Sequence, residues 1–173
     1  MRLQAMAKVI MSAAMMVALG VSGSIAAQTA ADTVLKSADL AKQFPPSVYY
    51  VGQTAPVQMR NTGGVKFADG HYVLAGLVDT SGYSSGVAAK YQGYLIAEVP
   101  ITIGGQKLPA GAYGFGFLDG GKFLVTDLGG NDVLTTSSAL DAGLTRPRPL
   151  QVTTDPAGGF RLYAGKAYVQ FSR

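Results

Sequence analysis

Residues 95–137 read LIAEVPITIGGQKLPAGAYGFGFLDGGKFLVTDLGGNDVLTTS. The regular spacing of turn signals in this stretch predicts the class of fold. Short apolar runs alternate with three glycine-rich turn signals, which are Gly104-Gly105, Asp119-Gly120-Gly121 and Gly129-Gly130-Asn131. Glycine reaches the positive φ angles that tight hairpins require, and aspartate and asparagine favour turns beside it. The stretch therefore predicts three consecutive hairpins in an antiparallel meander.

The same spacing of turn signals continues on both sides of this stretch. Gly63-Gly64 predicts a turn between residues 57–60 and 65–67, and Asp69-Gly70 predicts another before residues 71–79. Residues 155–159 and Gly165 separate the last strands in the same way. Residues 72–78 are apolar on both faces, which predicts a central strand. Pro100 cannot donate a ladder hydrogen bond, so it predicts a bulge or an edge in residues 91–103.

These patterns predict one all-β domain, an antiparallel β-sandwich of about eight to ten strands, with a closed β-barrel as the alternative. A short helix is expected over residues 32–44, which Pro45-Pro46 would end. Residues 28–47 then form an N-terminal segment with this helix, and residues 48–173 form a single β domain.

The first 27 residues have the organisation of an export signal. Arg2 and Lys8 give a positive start, residues 9–21 are apolar and uncharged, and small residues follow up to Ala27. The apolar run is short for a membrane span, so we expect a signal peptide over residues 1–27 that is cleaved on export. No later apolar stretch predicts a transmembrane segment. The expected location is therefore the periplasm or the extracellular medium.

Composition argues against several chemistries. The chain has no cysteine, which excludes thiol catalysis, thiolate zinc sites and iron–sulfur clusters. The net charge is +4, and removal of Arg2 and Lys8 leaves 12 basic against 10 acidic residues, or +2. Nucleic-acid binding therefore has little electrostatic support. We predict no cofactor and no metal site.

The basic residues are nevertheless unevenly placed along the chain. After residue 139 there are five basic residues against two acidic ones, namely Arg146, Arg148, Arg161, Lys166 and Arg173 against Asp141 and Asp155. Such an excess either meets an anionic surface or ligand, or it is a set of solvated charges.

Residues 79–90 are the first candidate for a binding surface. They form the longest stretch without strand character in the middle of the chain, and they carry Asp79, Tyr83, Ser84 and Lys90. Long loops on a rigid β scaffold often hold binding residues. Tyr94, just beyond this stretch, is amphipathic and suited to recognition. The alternative is an ordinary connector.

Residues 112–117 are the second candidate. Tyr113, Phe115 and Phe117 share one face of a predicted strand, which is most simply core. Gly114 and Gly116 share the other face and leave a shallow groove. A neighbouring aromatic side chain, a helix or a ligand is expected to fill it.

One motif points to catalysis. Gly82-Tyr83-Ser84-Ser85-Gly86 matches the G-x-S-x-G pattern of a nucleophile elbow, which requires a parallel strand before it and a histidine later in the chain. The only histidine, His71, precedes Ser84, and the surrounding pattern is antiparallel. A Ser/Gly loop produces the motif by chance, so we predict no catalytic residue.

The run Leu108-Pro109-Ala110-Gly111-Ala112-Tyr113 resembles the L-P-x-G-x-Y turn-into-strand element of prealbumin-like bacterial envelope β-sandwich domains. The longer run through Gly116 and on to Arg161-Leu162-Tyr163 looks like small secreted bacterial proteins of uncharacterised function. The resemblance covers one hairpin. It implies a sandwich rather than a barrel, and it implies no active site.

Three hypotheses for function follow from the sequence. The first is a non-catalytic envelope or secreted module that binds an envelope protein or a glycan through its loops. The second is a carrier of a small apolar ligand in a pocket. The third is a serine hydrolase that uses Ser84 with His71.

Overall fold

The structure is a computed structural model that describes residues 31–173, and the predicted signal peptide lies outside the described residues. The described chain forms fourteen strands and two short helices. In chain order they are β1 (Thr33–Lys36), α1 (Ser37–Leu40), β2 (Ser47–Tyr50), β3 (Gln53–Lys66), β4 (Tyr72–Val78), α2 (Ser85–Lys90), β5 (Gly93–Ala97), β6 (Ile101–Ile103), β7 (Gln106–Leu108), β8 (Gly111–Leu118), β9 (Lys122–Thr126), β10 (Asp132–Ser137), β11 (Ala139–Leu140), β12 (Arg148–Thr154), β13 (Phe160–Gly165) and β14 (Ala167–Ser172).

The strands make two antiparallel sheets that do not close into a barrel, which confirms the predicted β-sandwich. The larger sheet has the order β1-β3-β4-β5-β8-β9-β10, with β2 paired to β3. The smaller sheet has the order β12-β13-β14-β6-β7, with β11 paired to β14. The strand at residues 72–78 is central, as predicted, because it lies between β3 and β5.

The chain changes sheet at two exposed prolines. The predicted strand through Pro100 breaks there, so that β5 belongs to the larger sheet and β6 to the smaller one. After the β6–β7 hairpin, Pro109 returns the chain to the larger sheet as β8. Proline suits both corners because a residue between two ladders has no ladder hydrogen bond to donate. The Leu108–Tyr113 motif is therefore a corner between sheets.

The turn predicted at Gly63-Gly64 is wrong, because both glycines lie inside β3. A Cβ atom on Gly64 would lie 2.6 Å from the carbonyl oxygen of Val73, and one on Gly63 would lie 3.1 Å from the backbone nitrogen of Val152. These glycines allow close approach between strands. A glycine pair is typical of a turn as well, so the sequence alone does not distinguish the two roles.

The helix predicted over residues 32–44 is only partly formed. Thr33–Lys36 is strand β1, paired with β3, and only Ser37–Leu40 is α-helical. Val34 packs against the core between the sheets, and Leu35 packs against a second core on the outer face. A strand presents these neighbours to opposite faces, whereas a helix presents both to one side.

The larger sheet is buried on both faces, and this accounts for the apolar pattern of β4. Its inner face packs on the smaller sheet through residues such as Leu95, Phe115 and Phe123. Its outer face is covered by β2, α1 and the segment around α2, which contribute Tyr50, Leu40 and Tyr91. In the part of the chain that the structure describes, neither helix has the length and hydropathy needed to cross a bilayer.

The β2–β3 hairpin contains a strained residue. Val51 and Gly52 form its two-residue turn with φ angles of 45° and 78°. A positive φ is natural for glycine and unfavourable for a β-branched residue. A turn with two positive φ angles favours Asn-Gly.

Val51→Asn is therefore expected to stabilise the protein by about 1 kcal/mol, because asparagine relieves the strained conformation. Urea unfolding followed by circular dichroism measures the change in the free energy of unfolding. Val133→Asn, which replaces an exposed valine with an ordinary φ, is the control and is not expected to stabilise. A lower stability for Val51→Asn would show that the packing of Val51 outweighs its strain.

Candidate functional site

The segment 79–90 is anchored to the sandwich by its own polar residues. The Ser81 backbone N–H donates to Asp79 Oδ1 at 3.0 Å, and this bond lowers the pKa of Asp79 below its usual value. Ser84 is the N-cap of α2, where it accepts a hydrogen bond from the Val87 N–H at 3.4 Å. Lys90 ends α2 and pairs with Asp132 at 3.2 Å. Each of these side chains has a local structural partner.

The structure does not bring Ser84 and His71 together. His71 directly precedes β4 and Ser84 comes six residues after its end, and a seven-residue strand spans roughly 23 Å. His71 Nδ1 lies 3.1 Å from Asp69, which also binds Arg173. In residues 31–173 no group of three or more His, Asp or Glu side chains is arranged to hold a metal ion.

Tyr83 of this segment packs with three tyrosines beneath it, and we call Tyr50, Tyr83, Tyr91 and Tyr94 the tyrosine cluster. The rings of Tyr50 and Tyr91 stack with centroids 3.7 Å apart, and Tyr83 meets both edge-on. The Tyr83 hydroxyl donates to the Tyr50 carbonyl at 3.0 Å, which holds the loop down. Burial raises the pKa of Tyr91, whose side chain is fully enclosed. Tyr94 is also buried, and the four rings pack together in the outer core of the larger sheet.

The groove expected over Gly114 and Gly116 is filled by the chain itself. A Cβ atom on Gly114 would lie 2.6 Å from Tyr50 Cε2 and 3.0 Å from Tyr91 Cδ2. A Cβ atom on Gly116 would collide with the Lys90 carbonyl oxygen. The glycines therefore make room for the tyrosine cluster and the end of α2. On the opposite face Phe115 is in the inner core, as predicted.

The inner core contains little free space. The apolar cavity found between the sheets measures about 10 Å³ and is lined by side chains such as Leu95, Ile103 and Val169. That volume is about what one water molecule needs. It argues against the apolar-pocket carrier considered from the sequence.

The arrangement best suited to binding is a cleft of about 300 Å³ where β1 and β3 of the larger sheet meet β12 of the smaller sheet. We call it the basic cleft. Lys36 and Arg60 lie on the larger-sheet wall, and Arg146 and Arg148 lie on the smaller-sheet wall. No aspartate or glutamate from the described residues lines it. The nearby Asp39 carboxylate is bound instead to the backbone N–H of Lys36.

Irregular strand pairing places the arginines in the cleft. In β3, Val57 pairs with Val78 of β4, and Thr62 pairs with Gly76. Five positions of β3 therefore face only two positions of β4, and Arg60 lies in the resulting bulge. Arg148 begins a smaller shift, since Arg148 and Gln151 face Gly165 and Tyr163. Bulges of this kind redirect side chains from the regular alternation of a strand, and they are common beside binding sites.

The sequence Arg146-Pro147-Arg148-Pro149 adds rigidity to the smaller-sheet wall. A residue before proline is restricted to extended conformations, and this applies to both arginines. Residues two apart in an extended chain project to the same side, so the two guanidinium groups share one wall.

The charged side chains of the cleft have no carboxylate partner among residues 31–173. Gln151 also lines the cleft, and its amide nitrogen Nε2 is buried without a hydrogen-bond partner among the described residues. A buried amide donor without a partner costs about 1–3 kcal/mol. The cleft therefore has unpaired positive charge, and an unpaired amide donor is buried in its wall.

A polar network holds the segment that leads to Arg146. On the outer face of the smaller sheet, Arg161 Nε donates to Asp155 Oδ2 at 2.7 Å, and the Asp155 side chain is fully buried. The Tyr163 hydroxyl donates to Asp141 Oδ2 at 2.9 Å, and Arg161 lies 3.7 Å from the same oxygen. The Asp141 N–H donates to the Lys166 carbonyl. These bonds fix the chain five residues before Arg146.

The sequence pointed to only part of this site. It singled out the C-terminal basic excess, of which Arg146 and Arg148 line the cleft while Arg161 and Arg173 are paired with Asp155 and Asp69. Lys36, Arg60 and Gln151 were missed. They come from distant parts of the chain, and only the packing of β12 against β1 and β3 brings them together.

Comparison with known proteins gives no relative for this chain: no protein-family model, no curated protein and no solved structure matches it. The prealbumin-like resemblance of residues 108–113 stays a prediction.

Gly114→Ala is expected to destabilise the protein by about 1–3 kcal/mol, because the new methyl group displaces the Tyr50 and Tyr91 rings. Gly86→Ala is the matched control, since a Cβ atom there meets nothing within 4 Å and lies in α2. It is expected to stabilise by up to about 1 kcal/mol. Urea unfolding measures both values. Equal effects of the two substitutions would contradict the packing described for the tyrosine cluster.

The Asp155–Arg161 pair predicts a loss of stability in acid. Its hydrogen bonds, above all from Arg161, lower the pKa of Asp155 to about 2 in the folded protein, below the unfolded value of about 3.9. The stabilisation by this carboxylate is complete above the unfolded pKa and disappears as the pH falls from about 4 towards 2.

Asp155→Asn is expected to flatten the dependence of the unfolding free energy on pH in this range. Urea unfolding over a pH series measures the slope. Asp119→Asn is the control, because the Asp119 side chain makes no hydrogen bond or ion pair within residues 31–173. An unchanged slope for Asp155→Asn would show that the pair does not act in this way.

Proposed function

We propose that this chain is an exported, non-catalytic binding domain that takes an anionic ligand in the basic cleft. The observation that supports this most directly is the convergence of Lys36, Arg60, Arg146 and Arg148 around one cleft without an acidic partner among the described residues. The signal-like residues 1–27 support a location in the periplasm or outside the cell.

Electrostatics favours an anion in this position. Like charges that face each other across a narrow cleft repel, and a bound anion turns this repulsion into attraction. The four cations occupy both walls of a space of about 300 Å³, so the potential inside is positive on every charged side. A concave site also focuses the field more than a flat surface does.

Hydrogen bonding favours an oxyanion in particular. Arginine and lysine side chains donate and do not accept, and the buried Nε2 of Gln151 is likewise a donor. The planar guanidinium fork matches the paired oxygens of carboxylate, sulfate and phosphate groups. A ligand rich in acceptor oxygens would therefore satisfy the groups that the protein leaves unpaired.

The rigidity of the walls also supports a binding role. Pro147 and Pro149 restrict the arginine segment, and the polar network fixes its start through Asp141. Groups that are already ordered lose less entropy when a ligand binds. We therefore place binding in the basic cleft rather than in residues 79–90, whose side chains are engaged with the sandwich.

The double variant Arg146→Gln/Arg148→Gln is expected to weaken anion binding about tenfold or more, because charged hydrogen bonds are lost. Titration calorimetry with citrate and with inorganic phosphate measures the affinity at low salt. The control is Lys107→Gln/Lys122→Gln, which removes the same charge outside the cleft. Equal weakening in both double variants would indicate general electrostatic attraction. No binding of either anion by the native protein would overturn the proposed function.

A further inference from the structure

We infer that the ligand of the basic cleft is a small oxyanion with at least two separated anionic groups, one held at each wall. This inference rests on the proposed function and adds the ligand's charge and shape to it. It follows from how the cations are divided between the two sheets.

The cations form two pairs rather than one cluster. Lys36 and Arg60 belong to β1 and β3 of the larger sheet, whereas Arg146 and Arg148 precede or begin β12 of the smaller sheet. The two pairs are carried by different sheets, which come into close contact at Gly63 and Val152 beside the cleft. Each wall therefore presents its own pair of donors for an anionic group.

The size of the cleft leaves room for more than one such group. Its volume of about 300 Å³ is many times the space that one water molecule needs. A single carboxylate is the size of only a few waters, so it would satisfy one wall and leave the opposite pair of cations without a partner. A ligand with an anionic group at each end satisfies both walls with one molecule.

The lining between the charged groups limits the rest of the ligand. Gln151 contributes a polar side chain to the lining, which suits an oxygen atom in the body of the ligand. Thr62 and Thr153 contribute polar side chains, while Leu150 and Val152 supply apolar surface. No aromatic side chain from the described residues lines the cleft, so nothing there offers a stacking platform for a base. A short, flexible di- or tricarboxylate with an oxygen-bearing centre fits these features.

A series of dicarboxylates of increasing length tests the inference. Acetate, malonate, succinate, glutarate and adipate are compared by titration calorimetry at a pH where all carboxylates are ionised. We expect an optimum at an intermediate length, with affinity about tenfold or more above that of acetate, because the second group binds intramolecularly. General electrostatic attraction gives no such optimum.

Variants of each wall make the test specific. Lys36→Gln/Arg60→Gln and Arg146→Gln/Arg148→Gln are each expected to remove the advantage of the best dicarboxylate over acetate. The control Lys107→Gln/Lys122→Gln is expected to retain it. Thermal unfolding of every variant without ligand identifies any that fail to fold, and Arg148→Lys then serves as the milder substitution, expected to lower the advantage without abolishing it.

The outcomes separate this inference from the proposed function. Binding of acetate and dicarboxylates with the same affinity, or loss of the dicarboxylate advantage from one wall only, would overturn the two-wall ligand and leave anion binding intact. Inorganic phosphate binding more tightly than every dicarboxylate would also overturn it, because one compact group would then suffice. Absence of binding for every anion would overturn both proposals.

Discussion

The two sheets are linked by the hairpin of β6 and β7. This hairpin belongs to the smaller sheet, whereas β5 before it and β8 after it are paired neighbours in the larger sheet. Because β5 and β8 pair directly, the excursion between Pro100 and Pro109 must leave and rejoin the larger sheet at nearly the same place. The two sheets are thus joined at the centre of one and the edge of the other, and packing on one another buries their shared apolar face. No disulfide contributes, since the chain has no cysteine.

Burial of the larger sheet on both faces explains why β8 and residues 79–90 are engaged in packing. Its outer face is closed by β2, the helices and the tyrosine cluster, so the glycines of β8 face the protein's own aromatic rings. The hydrophobic contribution of such a double layer is large, at roughly 25 cal/mol for each Å² of apolar surface removed from water. The loop of residues 79–90 belongs to this covering layer. Its Tyr83 and Ser84 serve packing and capping, which are structural roles.

The edge of the sandwich has a different balance of forces. Where β12 meets β1 and β3, Gly63 and Val152 approach closely, and beyond this contact the walls diverge into the basic cleft. Apolar burial no longer decides which residues occupy this region, and like charges gather there at a cost in electrostatic repulsion. Two register shifts and two prolines hold these charges in place, and the unpaired Nε2 of Gln151 adds to the cost. Such features are expected where binding, rather than stability, determines the residues.

The amino-acid sequence was enough to predict the class of fold, the central position of β4 and most of the hairpins, because strand alternation and turn glycines are local properties. The predictions at Gly63-Gly64 and at the start of residues 32–44 were wrong. Both depend on distant strands, because the glycines allow other strands to approach closely and residues 33–36 pair with β3. Arg146 and Arg148 stood out as part of a basic excess, but their position opposite Lys36 and Arg60 came only from the tertiary structure. Long-range pairing of edge strands brings together residues more than a hundred positions apart, and no local pattern encodes which charges will face one another across a cleft.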